Sequence, residues 1–401
     1  MARIMVIAGG DWQIELIKKA KTMGHFVICS NLYEDSPAFP YADACEVANV
    51  LDKEKNLEIA KKYMPDAVIS DQSDIAVPTV AYLNEMLGLK GIGIEKANLF
   101  TDKSLQRKFC SENGIDVPEF KLCKKAEDAL SMLDKHGKII IKPIDSQSSR
   151  GVFVIESKEQ LTAKYVETLS WSNREKSFLA EQYIDGDEFT IDGLVINGHH
   201  YPLCISVKEM YPCNPNISRV QSYSYLSDKH DYDLLRKTNK NLIEKTGLPM
   251  GLTHSEYKFH KGKFYLIEAG ARGGGSNLSG KIVPYMSDVD NYEYLIKEAL
   301  GETVDENYVA NKIFNDKKYV IMRFFDFDEG TVKNVEGIDY LRSHPMLIDY
   351  QFNLKPGDHI QHPKYGRLRP GHFIIGSEGK ADVIREAGKI LDTVKVVYDN
   401  E

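Results

Sequence analysis

The spacing of apolar residues changes several times along the chain. Within residues 3–31 a run IMVIA is followed by Gly9-Gly10, then by Ile14, Leu16 and Ile17 at helical spacing, then by a second run, HFVICS. Two short apolar runs around a 3.6-period segment predict a strand-helix-strand unit. A helix at 53–63, a buried strand at 66–70 and a helix at 75–87 closed by Gly88 continue the alternation. Such alternation predicts a parallel doubly wound sheet, with its ligand crevice at the carboxyl ends of the strands. Gly9, Gly10, Asp71, Gln72 and Ser73 are the residues nominated there.

Beyond residue 93 the punctuation is different. A helix is predicted from an N-cap at Thr101 or Asp102 to a stop at Gly114, and it holds Lys103 in its first turn, where the helix dipole disfavours a cation. KIIIK at 138–142 reads as a strand closed by Pro143, and DSQSSRG at 145–151 as a flexible loop of phosphate-binding donors beside Lys142. The runs FVIE and FLAEQYI complete a small α/β lobe suited to act as a lid. Asn197-Gly198 marks a hairpin, and 207–227, with Lys208 and Arg219 among prolines and tyrosines, reads as a polar loop. Helices follow at 232–246 and 292–300, then a strand-rich segment from Tyr319, a helix at 380–391 and a strand KVVY.

Residues 252–280, LTHSEYKFHKGKFYLIEAGARGGGSNLSG, carry the densest chemistry. A turn over His260-Lys261-Gly262 pairs Glu256 with Glu268, Tyr257 with Ile267 and Phe259 with Tyr265, giving one apolar and one acidic face. Like charges directly opposite repel, so a hard divalent cation is expected to offset them, unless the pair is only a solvated hairpin edge. Arg272 adds a planar fork for phosphate or carboxylate. GSNLSGKI at 275–282 nearly matches a phosphate loop, but Ile282 lacks the hydroxyl and the segment follows an antiparallel hairpin.

Length and composition narrow the setting. A chain of 401 residues is expected to hold two or three domains, at about 150 residues each. No apolar run approaches the ~20 residues of a membrane span, and MARIMVIAGG reads as a first strand rather than a leader, so the expectation is a cytoplasmic protein without a membrane partner. A net charge of -8 with no basic stripe argues against nucleic acid. Six scattered cysteines without zinc spacing are expected to be reduced thiols. The opening glycines lack the spacing of a dinucleotide fingerprint, and Trp12 stands where a nicotinamide cofactor needs close approach.

TDKSLQRKF, IIIKPIDSQSSRGV, EQYIDGDEF, GLTHSEYKF and LIEAGARGGG occur in that order, and the series resembles the ATP-grasp superfamily over nearly the whole chain. It is most similar to carboxylate-amine ligases that begin with a Rossmann-like domain: the L-amino acid ligases, the purine-pathway members and carbamoyl-phosphate synthetase halves. The resemblance implies a mixed α/β and α+β protein. Its parts would be a Rossmann-like preATP-grasp domain at 1–93, a two-lobed ATP-grasp domain at 94–301 with a lid at about 132–182, and a strand-rich α+β closing subdomain at 302–401. It implies ATP and Mg²⁺ (or Mn²⁺) as cofactors, small carboxylate and amine substrates, and a homodimer as a candidate assembly.

Carried onto this sequence, the resemblance assigns Lys103 and Lys142 to ATP phosphates, with Ser146, Ser148, Ser149 and Gly151 in a loop closing over them. Glu181 and the backbone of Tyr183 and Ile184 would meet adenine, and Glu188 the ribose. Glu256 and Glu268 would hold the metal, while Arg272 and Lys142 would act on the transferred phosphoryl. Many members carry Asn two residues after the second metal glutamate. Gly270 stands there, so Asn277 is the candidate replacement ligand. Asp71, Ser73, Arg219 and Arg272 are the candidates for the substrate site. The implied reaction is phosphorylation of a carboxylate to an acyl phosphate, then displacement of phosphate by an amine or thiol, with ADP released. The alternatives are a carboxylase acting through carboxyphosphate and an ATP-binding module without catalysis. Release of ADP dependent on bicarbonate would separate the first of these, and an absence of nucleotide turnover the second.

Overall fold

In the computed structural model, which describes residues 1–173 and 175–399, the first unit is the expected parallel sheet. Its strands lie in the order Ala44–Val47, Phe26–Asn31, Arg3–Ile7, Ala67–Ile69. Ile4, Met5, Val6 and Ile7 are fully buried, as a parallel strand covered on both faces requires. Helix Val77–Leu87 stops at Gly88, whose φ of +66° a side chain would disfavour.

Two consecutive helices then lead out of this unit, Ile94–Thr101, which the apolar spacing did not reveal, and Lys103–Glu112. Asp102 caps the second, accepting from the backbone N–H of Ser104 at 2.8 Å and of Leu105 at 3.2 Å. The lid is a four-stranded antiparallel sheet in the order Phe120–Cys123, Phe178–Gln182, Ile139–Pro143, Phe153–Ile155, packed against helices Ala126–His136 and Lys158–Ser170. It therefore includes a strand upstream of the expected start near residue 132.

The rest of the chain is dominated by one antiparallel sheet of eight strands. Their order is Lys263–Gly270, Gly251–His260, Glu188–Ile196, His199–Tyr211, Asn214–Ser224, Tyr319–Phe324, Gly371–Ser377, Leu347–Phe352. Residues 207–211 and 214–224 are thus strands of a hairpin, not the polar loop that their serines, prolines and charges suggest. Lys208 and Gln221 line a cleft, so this strand pair carries polar groups toward a ligand site rather than toward bulk water. The last hundred residues do not merely pack against the sheet; three of its eight strands come from them.

The acidic hairpin has the predicted pairing at its functional end and a different one at its tip. Glu256 faces Glu268, but Tyr257 pairs with Leu266 and Phe259 with Phe264 rather than with Ile267 and Tyr265. The connection is a two-residue turn, Lys261-Gly262, both with positive φ, instead of three residues. A bulge beyond Glu256 takes up the difference and leaves Ile267 as the extra residue.

Candidate active site

The cleft between lid and large sheet is lined by cations and carboxylates from several elements. Lys103 opens its helix, and its Nζ reaches the Ser146 carbonyl and Glu268 Oε1, each at 2.7 Å. The dipole-disfavoured lysine is therefore paired with one of the two hairpin acids. Lys142, near the end of lid strand Ile139–Pro143, lies 2.7 Å from Glu181 Oε2. Arg107, one helical turn past Lys103 and fully buried, donates to Glu181 Oε1 at 2.8 Å and to the bulged carbonyl of Ile267 at 2.6 Å. Burial alone would raise the Glu181 pKa, but Arg107 and Lys142 outweigh it and hold the group ionised. Burial and the neighbouring Arg107 depress Lys142 to about 8 in spite of Glu181. The trio carries one net positive charge, which suits a phosphate.

Glu256 Oε1 accepts from Lys208 Nζ at 2.7 Å, and Lys208 also reaches Glu188 Oε1 at 2.9 Å. The His254 ring lies 3.5 Å from Glu256 and 3.0 Å from Asp192. Burial would lower the His254 pKa, but Asp192 and Glu256 raise it to about 9. The expectation that only a metal can offset the facing glutamates is therefore corrected, since each carboxylate already has a lysine. Among the described residues no group of three or more His, Cys, Asp or Glu forms a metal cage. Two carboxylates on one wall nonetheless fit magnesium, which takes one or two from the protein when nucleotide phosphates supply the rest.

Four other nominated residues lie elsewhere or do other work, and a fifth is engaged differently. Arg272 places its fork on Asp74, at 2.9 and 2.8 Å, so it is tied to the first unit rather than free for a phosphoryl group, although it lines the cleft. A Cβ at Gly270 would come within 3.3 Å of Asp74 Oδ1 and 3.5 Å of Arg272 Nε, so this glycine lies close against the Arg272–Asp74 pair. Asp71 is 1% exposed and clamps the backbone N–H of Gly273 at 2.6 Å and the Tyr292 hydroxyl at 2.9 Å; it binds the glycine run, not a substrate. Asn277 donates to Asp349 at 2.8 Å, and it is Ser276, not Asn277, that lines the cleft with the glutamates, so Asn277 is not placed as a metal ligand. Arg219 turns to Asp326 at 3.3 Å. Gly151 closes the serine loop against Trp171 and Pro143, where a Cβ would meet the Trp171 ring at 2.7 Å.

The remaining nominees come together. Ser146, Ser148, Ser149, Glu181, Tyr183, Ile184 and Glu188 line a chamber of about 120 Å³ with both lysines and both hairpin glutamates. Ser148 and Ser149 have φ of +60° and +58°, a strained pair held by Ser149 Oγ donating to the Asn216 carbonyl at 2.9 Å and Gly366 N–H donating to the Ser148 carbonyl at 3.4 Å. A second chamber of about 200 Å³ shares Glu188, Glu256 and Glu268 with the first and adds Lys208, His254, Arg272 and Arg369. It shares Trp12, Gln72, Ser276 and Arg369 with a third, about 430 Å³, walled by Gly10, Ser73, Asn353 and His372. Gly10, Gln72 and Ser73 thus reach the crevice predicted at the strand ends.

Arg107 and Lys208 were the functional side chains that sequence patterns missed. Arg107 was within reach, because it is four residues after Lys103 on one helix face. Lys208 was not: a register shift between Pro202 and Cys204 sets it opposite Glu188, one place off the register extended from the Asn197-Gly198 turn.

This arrangement of lid, serine loop and facing glutamates is that of an ATP-grasp site. Residues 136–279 match the model of the ATP-grasp domain. Residues 323–399 match a more particular model, L-amino acid ligase C-terminal domain 2. The chain is similar to the L-arginine-specific L-amino acid ligase of Bacillus subtilis, 24% identical over 373 residues that cover 89% of this chain and 88% of the other. It is also 24% identical over 193 residues to the formate-dependent phosphoribosylglycinamide formyltransferase of Erythrobacter litoralis, a match that spans about half of each chain, 46% and 48%. Its fold is that of the L-amino acid ligase from Bacillus licheniformis, with a TM-score of 0.85, 20% identity and coverage of 100% and 99%.

Proposed function

We propose that this ATP-grasp protein is an ADP-forming ligase that joins the carboxylate of one amino acid to the amino group of another. The observation that carries the reading is the continuity of the three chambers. A nucleotide in the lid cleft has its phosphates at Lys103, Lys142 and the facing glutamates, and the space beyond opens into a 430 Å³ cavity of a size suited to small molecules. The match to the L-amino acid ligase C-terminal domain supports amino acids as substrates, because residues of that segment, Asn353, Arg369 and His372, wall the cavity.

A carboxylate is a poor acylating agent until ATP converts it to an acyl phosphate. The tasks left to the protein are positioning, charge neutralisation and exclusion of water. Lys103 and Lys142 bind phosphate oxygens, Glu188 takes the ribose, and the strand end at Tyr183-Ile184 receives the adenine. Glu256 and Glu268 would hold Mg²⁺, which supplies neutralisation of charge at the transferred group when bound. No nucleophilic side chain is needed, and burial pushes the Cys29 thiol up to about 12 and those of Cys110 and Cys123 up to about 11. We read the protein as acting in the cytoplasm on small molecules. Among the described residues no helix is long and apolar enough to cross a membrane.

The test is release of ADP and phosphate across a panel of amino acids, singly and in pairs. ADP release that requires a pair and yields a dipeptide is the expected result. AMP and pyrophosphate would overturn the reading, because adenylation attacks the α-phosphorus. Dependence on bicarbonate would point to a carboxylase instead.

A further inference from the structure

The 430 Å³ cavity has one cationic side chain on its wall that the reaction so far leaves without a task. Arg369 follows the short turn Gly366–Leu368, and its Nε and Nη1 donate to the carbonyls of Gly366 at 2.7 Å and Ser218 at 3.1 Å. Its guanidinium carbon stacks 3.4 Å over the Phe324 ring. Among the described residues no carboxylate pairs with it, and Nη2 has no hydrogen-bond partner. A cation removed from water without a counter-ion is costly, and burial lowers the Arg369 pKa to about 10. Every other arginine or lysine on the site walls that we have described is paired: Lys103 with Glu268, Lys142 with Glu181, Lys208 with Glu256, Arg272 with Asp74.

A second, independent observation lies beside it. His372 lines the same cavity, is 3% exposed, and its Nε2 is buried with no partner among the described residues. Burial and then Arg369 push its pKa down to about 3, so it is a neutral ring with a hydrogen bond still to make. A guanidinium edge without a partner fits an oxyanion, for which the flat arginine fork is shaped, and the unpartnered imidazole of His372 lies in the same wall with its Nε2 buried behind the surface. Asp11 is the one acid on this cavity's wall, so the other lining residues do not compensate the arginine from a second side.

We propose that Arg369, with His372 beside it, is the receptor for the non-reacting carboxylate of the acceptor amino acid. This rests on the proposed function, in which one amino acid spends its carboxylate on ATP and the other keeps its own throughout. Arg369 lines both the acceptor cavity and the chamber of the facing glutamates. An acceptor held there by its carboxylate has its amine free to be turned toward the acyl phosphate. The turn that carries Arg369 also meets the lid, through Gly366 to Ser148 and through Tyr365, whose ring lies 6.4 Å from that of Trp171.

The experiment compares wild type, Arg369→Gln and Arg369→Lys with amino-acid acceptors, the α-carboxamides of the same acceptors, and inorganic phosphate. Arg369→Gln should raise the acceptor KM about 30-fold or more and leave the ATP KM within about 2-fold, the size expected for losing a charge-assisted pair. Carboxamide acceptors should be poor with wild type and no poorer with Arg369→Gln. Arg369→Lys, which keeps the charge and controls for folding, should recover part of the loss. Equal losses for acid and carboxamide, or a fall in kcat alone, would overturn the proposal. A calorimetric titration without ATP reads the site apart from turnover. Wild type should bind the free amino acids and Arg369→Gln should not, whereas Arg369-dependent binding of inorganic phosphate in place of carboxylates would also overturn it. If no amino-acid pair releases ADP, the proposed function fails, and the titration still decides whether Arg369 binds an anion.

Discussion

Lys142 shows how one buried side chain sets the behaviour of the phosphate site. Its pKa of about 8 means that the free protein loses this charge in mildly alkaline solution. Bound phosphates favour the ammonium form, so ATP should weaken as pH rises through about 8, and near pH 8.5 binding should take up a proton, between about 0.5 and 1. Calorimetry in two buffers of different ionisation heat measures this, and binding without proton uptake would remove Lys142 from the phosphate site. The sign for stability is opposite to that of a salt-bridged lysine. With a folded value depressed from 10.5, Lys142 opposes folding fully below about pH 8, and the penalty fades as pH rises toward 10.5. Lys103, by contrast, was picked out by its unfavourable place at a helix N-terminus, and the structure supplies its partner in Glu268. Asp71 and Arg219 show the limit of choosing polar residues by position. Residue type does not tell a clamp on backbone from a substrate contact.

At the scale of elements, the hairpin Gly251–His260 and Lys263–Gly270 joins the two chambers of the cleft, since Glu256 and Glu268 line both. Its bulge keeps Glu256 opposite Glu268 and turns the Ile267 carbonyl toward Arg107 and Lys142, at 2.6 and 3.4 Å. Because the facing acids are offset by lysines, they do not need a metal to coexist, and the role proposed for them lies in the charge that develops during phosphoryl transfer. Glu268→Gln should therefore lower kcat about 100-fold while changing ATP affinity far less. Parallel changes in kcat and in the dissociation constant of ATP would show that the carboxylate serves ground-state binding only. The pairing of the two glutamates was legible from alternation, but the turn was not. Asymmetry between a two-residue and a three-residue loop is settled by twist and packing of Phe264 and Tyr257, both buried, rather than by the local residues.

For the whole molecule, the lid is the part proposed to close over the nucleotide. Its serine loop holds two strained residues and is fastened to the body by hydrogen bonds from Lys103 to Ser146, from Ser149 to Asn216 and from Gly366 to Ser148. Mg-ATP should slow amide exchange across 146–151 by adding phosphate contacts to this loop, and hydrogen exchange with and without nucleotide reads the change. Equal exchange in both states would mean that the loop does not close over phosphate. The large sheet is its counterpart, with eight strands that run from the hairpin of Glu256 and Glu268 into the C-terminal segment without a break. Much of this molecule followed from local pattern alone. Apolar period and glycine stops located the parallel sheet, the helices at 53–63 and 232–246, and the hairpin, because burial on one face and capping are short-range demands. The order of motifs carried the resemblance to the ATP-grasp superfamily, and alternation along the hairpin carried the paired glutamates. Tertiary structure alone decided which charges neutralise one another, that residues 207–211 and 214–224 are strands with a polar cleft face, and that Arg369 arrives opposite the first unit's strand ends. Those outcomes depend on contacts between residues about 20 to 200 positions apart, such as Lys208 with Glu188 and Arg272 with Asp74, where the balance of desolvation against pairing is set by the neighbours and not by the sequence around each side chain.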